Sequence, residues 1–167
     1  MTSAAASRWR FLLPLFIVVA GLLVDQATKW LARDTLAGQP PILFLGGVAR
    51  LHYAENPGAF LSLGADLPPD ARFWIFSVLA ALLLAALVVY VLRASASSPL
   101  LTLVAVSLFV AGGVGNLIDR IFNEGRVVDF MQVGVGWLRT GVFNVADMAI
   151  MAGVGLAVLA MIRQPKG

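Results

Sequence analysis

Cysteine is absent from this 167-residue chain, and histidine occurs once, as His52. Without cysteine there are no disulfides, no thiolate nucleophile and no Cys-ligated metal. A zinc site built from several histidines is excluded, and a Ser-His triad would have to use His52. Charge is scarce as well. Asp, Glu, Lys and Arg make up 13% of the residues, about half the share of an ordinary soluble domain. The net charge is only +3, and no run of five or more basic residues occurs. That pattern gives no electrostatic footing for nucleic acid.

What the chain has in abundance is apolar mass: 60% hydrophobic residues and a mean hydropathy of +0.90. A soluble core of this size could not hide so much, so lipid is the expected solvent. Four windows reach the length needed to span a bilayer: residues 11–31, 73–92, 100–118 and 142–162. Arg8 and Arg10 ahead of the first apolar run resemble a secretory leader. The run is long, however, and Asp25-Gln26 follows it in place of a small-x-small cleavage site, so an uncleaved first helix is expected. Of the two long connections, residues 32–72 are Pro- and Gly-rich, and residues 119–141 include a short Gly-rich segment at 132–141; strand candidates lie at 48–53 and 127–131. The expectation is an all-α membrane protein of four transmembrane helices with a small extracytoplasmic β/loop subdomain, forming one membrane-embedded domain over 1–167. With four spans, both termini lie on one side and the two long loops lie together on the other.

Orientation follows from Lys and Arg near the helix ends. The termini and the short turn between the second and third windows carry Arg8, Arg10, Arg93, Arg163 and Lys166. The longer loops carry Lys29, Arg33, Arg50, Arg72, Arg120, Arg126 and Arg139. The raw count favours the long loops, but the density favours the short segments. Cytoplasmic termini and external loops are therefore expected. The glycine runs at Ala111–Gly115 and Ala152–Gly155 look alike, but close packing of membrane helices accounts for them without an internal repeat.

An ionisable group inside a span is costly, which makes it a candidate functional group. Asp147 falls within the fourth window, and Asn144 lies three residues before it on the same helical face. Asn116 and Arg120 share a face of the third helix, and Asp25 and Lys29 share a face of the first. Asp119-Arg120 reads as a structural ion pair or an interfacial anchor. Asp129 sits in the apolar stretch 127–131, where alternation puts it on the face of Val127 and Met131. Two carboxylates brought together can share one proton, one acting as base toward water and the other as acid toward a carbonyl. Asp129 and Asp147 are 18 residues apart and could meet; spacing alone does not bring them together.

Four stretches resemble the lipoprotein signal peptidases, or signal peptidase II family, in the family's order. They are Asp25-Gln26-Ala27-Thr28-Lys29; Glu55-Asn56-Pro57-Gly58-Ala59-Phe60; Gly112-Gly113-Val114-Gly115-Asn116-Leu117-Ile118-Asp119-Arg120, continuing to Val127-Val128-Asp129-Phe130; and Phe143-Asn144-Val145-Ala146-Asp147. The resemblance implies four transmembrane helices, cytoplasmic termini and an aspartyl dyad near the outer face of the bacterial inner membrane. Asp129 and Asp147 would be the catalytic pair. Asp25, Lys29, Asn56, Gly58, Gly112, Asn116, Asp119, Arg120, Phe143, Asn144 and Ala146 would support it or bind substrate. The implied substrate is a prolipoprotein cut just before its diacylglyceryl-modified cysteine, with membrane lipid as surroundings, a monomeric enzyme, and neither metal nor cofactor. The second motif departs from the family's usual Asn-Thr-Gly-Ala-Ala-Phe-Ser: Pro57 stiffens it and one small residue is missing before Phe60. Two rival readings are a catalytically silent lipoprotein-binding paralogue and a small proton-coupled transporter using Asp147 and Asp25.

Overall fold

A computed structural model describes residues 3–58, 66–68, 70–71, 74–94 and 98–163. Residues 59–62 of the second motif, Arg72 and Lys166 lie outside them. Helix α1 spans Ser3–Leu36. A π-helical turn, Trp74–Leu79, runs into α2, Ala80–Ala94; α3 is Leu100–Phe122 and α4 is Val145–Arg163. Four helical stretches, Trp9–Leu36, Trp74–Arg93, Leu100–Phe122 and Val145–Arg163, are long and apolar enough to cross a membrane. Their large side chains face outward, as lipid solvation demands: Phe16 is 69% and Leu23 65% exposed. Helices suit that solvent because each pairs its own backbone groups.

The long connections supply the strands β1 (Ile42–Phe44), β2 (Ala49–Asn56), β3 (Val127–Val135) and β4 (Leu138–Arg139), in one antiparallel order β1-β2-β3-β4. A single 3-10 turn, Leu45–Gly47, reverses the chain between β1 and β2, with Gly46 and Gly47 at positive φ. The β2–β3 pairing brings the two long connections together, with Ala54 opposite Asp129 and Asn56 opposite Val127. Ala32 and Leu36 near the end of α1 pack with Phe130 of β3, and Leu51, Tyr53, Met131 and Val145 close around them. The sheet is thereby seated on that end of the helix bundle.

Several boundaries differ from the sequence expectation. Helix α1 continues to Leu36 rather than stopping at 31, and α4 begins at Val145 rather than 142. Strand β2 starts one residue later and ends three residues later than 48–53, while β3 extends to Val135. Within the Gly-rich segment 132–141, residues 132–139 form the end of β3 and its hairpin with β4. The glycine runs do what close packing requires. A Cβ on Gly112 would sit 2.2 Å from the Ala146 carbonyl oxygen, and one on Gly153 would sit 2.7 Å from that of Ala105. These two contacts lock α3 and α4 face to face.

Candidate active site

The polar residues that the bilayer should exclude meet where α1, α3, the start of α4 and the paired strands β2 and β3 converge. Asp25, Lys29, Asn116, Asp119, Asp129, Asn144 and Asp147 are all buried, Asp25 and Asn144 completely. Such a cluster survives in an apolar setting only if each member finds partners.

The deepest part is an ion cluster. The Lys29 ammonium lies 2.9 Å from Asp25 and 3.1 Å from Asp119, and it donates to Asn116 Oδ1 at 3.0 Å. The two carboxylates also hold backbone. Asp25 Oδ1 accepts from the Ala146 N–H at 2.8 Å, and Asp119 Oδ2 accepts from the Val128 N–H at 2.9 Å. One buried cation thus fixes two anions, and those anions fix the first turn of α4 and the strand residue beside Asp129. The expected Asp119–Arg120 pair does not form. Adjacent helical residues point about 100° apart, so Asp119 turns to Lys29 while Arg120 donates to the carbonyls of Gly58 (3.0 Å) and Asn116 (3.3 Å).

Above the ion cluster sit the two candidate carboxylates, joined through asparagines. Asn144 is not inside a helix, as its sequence position suggested, but at the N-cap of α4. Its Oδ1 accepts from the Asp147 N–H at 2.9 Å, and Asp147 Oδ2 accepts from the Asn144 N–H at 3.3 Å. This is a capping box with aspartate in the third position, and it places Asp147 in the first turn of α4 rather than mid-helix. The same Asn144 sends its amide to Asp129 Oδ1 (2.7 Å), Asn116 Oδ1 (3.1 Å) and the Val128 carbonyl (3.1 Å). Asn116 Nδ2 donates to Asp147 Oδ1 at 2.8 Å. On the far side, Asn56 Nδ2 donates to Asp129 Oδ2 at 2.9 Å. The β2–β3 register makes this possible. Asn56 lies two residues from the position opposite Asp129, on the same sheet face.

Asp129 lies outside the spanning helices, and its carboxyl is pushed up to about 7. Burial is the main cause. The Asn56 hydrogen bond opposes it, the negative charge of Asp147 adds to it, and the Asn144 hydrogen bond opposes it again. A carboxyl with that affinity holds a proton near neutrality and can give it up in a reaction.

The supporting residues act in different ways. Gly112 leaves room for the Ala146 carbonyl, and Ala146 offers its N–H to Asp25. Phe143 acts through its backbone. It donates to Met131 O, and its carbonyl accepts from Phe130 and Met131, which ties β3 to the entry of α4. The Gly58 N–H donates to Asn56 Oδ1 in a tight turn. At the exposed rim, Tyr53 and Arg126 both donate to Glu55, which holds that carboxyl below its ordinary value, Tyr53 chiefly. Two contributors carried no assigned role in the sequence reading. Gln26 Nε2 bridges Asp25, Asp119 and the Gly115 carbonyl at 3.2–3.3 Å. Gly115 has no room for a side chain, since a Cβ would meet Asp25 Oδ2 at 2.5 Å. Both lie within the recognised stretches, one residue from Asp25 and from Asn116.

The signal peptidase II family model matches residues 17–163. The lipoprotein signal peptidase of Nitratidesulfovibrio vulgaris (strain DP4) is 37% identical over 158 residues, covering 95% of this chain and 93% of the relative. That of Symbiobacterium thermophilum is 35% identical, covering 90% and 95%. A bacterial membrane enzyme solved at 1.9 Å resolution superposes with a TM-score of 0.75 at 27% identity, over 90% of this chain and 93% of that one. Sequence and fold together place the chain in the signal peptidase II family.

Proposed function

We propose that the protein is an intramembrane aspartyl endopeptidase that removes signal peptides from diacylglyceryl-modified prolipoproteins, cutting before the lipidated cysteine. Membership of a peptidase family whose relatives are lipoprotein signal peptidases supports the substrate class. The observation that carries the chemistry is the chain of buried amides that links the two carboxylates, Asn144 on Asp129, Asn116 on Asp147, and Asn144 on Asn116. The reading takes the whole chain as one membrane-embedded domain working as a monomer. The termini lie in the cytoplasm, and the sheet and dyad lie at the outer face of the inner membrane.

In this reading the pair shares one proton. The ionised carboxylate takes a proton from water as the water oxygen bonds to the scissile carbonyl carbon. The protonated partner hydrogen-bonds the carbonyl oxygen and transfers its proton to it. Collapse of the tetrahedral species protonates the leaving nitrogen and breaks the C–N bond. A signal-peptide carboxylate and a cysteine with a free α-amine result. Asp129, holding its proton to about pH 7, suits the acid role, and the profile belongs to the pair rather than to either residue. Asn56, Asn116 and Asn144 keep both carboxylates aimed, and Lys29 with Asp25 and Asp119 anchors the elements beneath them.

The test is proteolysis by the purified protein in lipid, using a diacylglyceryl-modified precursor and its unlipidated twin. Mass spectrometry should find one cut, directly before the modified cysteine, in the lipidated form only. Equal cleavage of the unlipidated twin, or a cut elsewhere, would overturn the assignment.

A further inference from the structure

Among the described residues, two side-chain polar atoms within the spanning stretches are buried without a hydrogen-bond partner: Ser77 Oγ and Arg120 Nε. The other such atoms belong to Arg50, His52 and Arg139, in the sheet. An unsatisfied buried donor is costly, and lipid offers it no substitute. Hydroxyls in helices ordinarily escape this by donating to a carbonyl one turn back. Thr28, Thr35 and Ser107 do so here, with Val24, Leu31 and Leu103. Ser77 does not. It lies in the π-helical turn Trp74–Leu79 and is only 5% exposed. Single π turns inside helices recur at functional sites.

The two orphans stand at one level of the bundle. Leu84 of α2 packs on Gly113 of α3, and the two helices run antiparallel across the short turn between them. Ser77 is seven residues before Leu84, and Arg120 is seven residues after Gly113, each about 10 Å along its helix. The π turn packs against α3, so Ser77 is level with Arg120. Arg120 already spends its other donors on Gly58 and Asn116, the latter a partner of Asp147. Arg120 also lies within electrostatic reach of Asp147 and Asp129, so the unused Nε–H and the unused hydroxyl share the dyad's end of the bundle.

We propose that Ser77 Oγ and Arg120 Nε both donate to one carbonyl oxygen of the bound lipidated substrate, which makes Ser77 a substrate-binding residue. Two donors with no acceptor call for a ligand atom with two lone pairs and no proton. A carbonyl oxygen is such an atom. In a diacylglyceryl precursor it can come from the peptide or from an acyl ester. This inference rests on the peptidase reading above.

Ser77→Ala, assayed in the full-length protein in lipid, separates binding from structure. Loss of one neutral hydrogen bond should lower kcat/KM about fivefold, carried by KM. The substrate-free protein should melt at a higher temperature, because an unpaired buried hydroxyl has been removed. Ser77→Thr, which keeps the hydroxyl, should restore KM. A precursor with ether-linked chains identifies the oxygen. If it is the ester's, wild type shows the raised KM on the ether substrate and Ser77→Ala adds nothing. If it is the peptide's, Ser77→Ala raises KM on both substrates. An unchanged KM, a loss confined to kcat, or a lowered melting temperature overturns the proposal. Asp129→Asn run alongside keeps the two readings apart. If it is silent while Ser77→Ala is indifferent, only the Ser77 assignment fails; if it cleaves, the peptidase mechanism fails.

Discussion

Asn144 performs two jobs that substitution can separate. As N-cap of α4 it satisfies the Asp147 N–H, and as a donor it steadies Asp129 at 2.7 Å. Asn144→Ser keeps a capping hydroxyl but removes the amide, whereas Asn144→Ala removes both. The difference in stability between the two variants should be that of a helix cap, about 1 kcal/mol. Both lose the donor that favours ionised Asp129. A hydrogen bond to a charged acceptor is worth about 1.5–3 kcal/mol, or roughly 1–2 pH units. The Asp129 carboxyl should therefore keep its proton to higher pH than about 7. In the Asn144→Ser enzyme the alkaline limb of the kcat/KM profile should move upward by about that amount. The loss in kcat/KM should stay within the roughly 10²–10⁴-fold that acid–base catalysis supplies, leaving a measurable profile. Cleavage of a lipidated precursor across pH, with thermal melts of the three proteins, reads out both jobs. An alkaline limb that stays in place or moves down would refute the reasoning.

Lys29→Met should leave Asp25 and Asp119 as buried charges without a cation, destabilising the protein by about 3–5 kcal/mol; detergent melts check this. Gly112→Ala drives a methyl against backbone, 2.2 Å from the Ala146 carbonyl, whereas Gly113→Ala meets only the flexible end of Leu84. The first should lose folded protein and activity together, and the second should cost far less in the same melt. Asp129 also gives a pH signature. It holds its proton in the folded state to about 7 but releases it near 3.8 when unfolded. The folded state binds more protons between those values, so stability falls as pH rises through that window, by on the order of 4 kcal/mol. Melts of Asp129→Asn across pH 4–8 should lack this slope.

The four spans were legible because apolar length is a local property of sequence. That Asp129 and Asp147 come together through shared asparagines was foreshadowed only by the motifs around them, since nothing local says that a strand residue and a helix residue 18 positions apart will meet. What escaped the sequence depended on partners far along the chain. Asp119 has an adjacent arginine but bonds Lys29, 90 positions before it, because neighbouring helical side chains diverge. The β2–β3 register that puts Asn56 on Asp129 joins segments separated by two helices. The N-cap at Asn144 was readable, for Asn-x-x-Asp before an apolar run is a capping-box pattern. Treating the fourth window as one continuous helix hid it. The π turn at Trp74–Leu79 left no mark in an apolar run.

Single substitution of each aspartate tests the central claim most directly. Asp129→Asn and Asp147→Asn, purified as folded proteins in lipid, are to be given the lipidated precursor at the wild-type pH optimum. A shared-proton dyad predicts that neither variant releases the signal peptide while both still bind the precursor. Cleavage at the wild-type rate by either variant would contradict the mechanism.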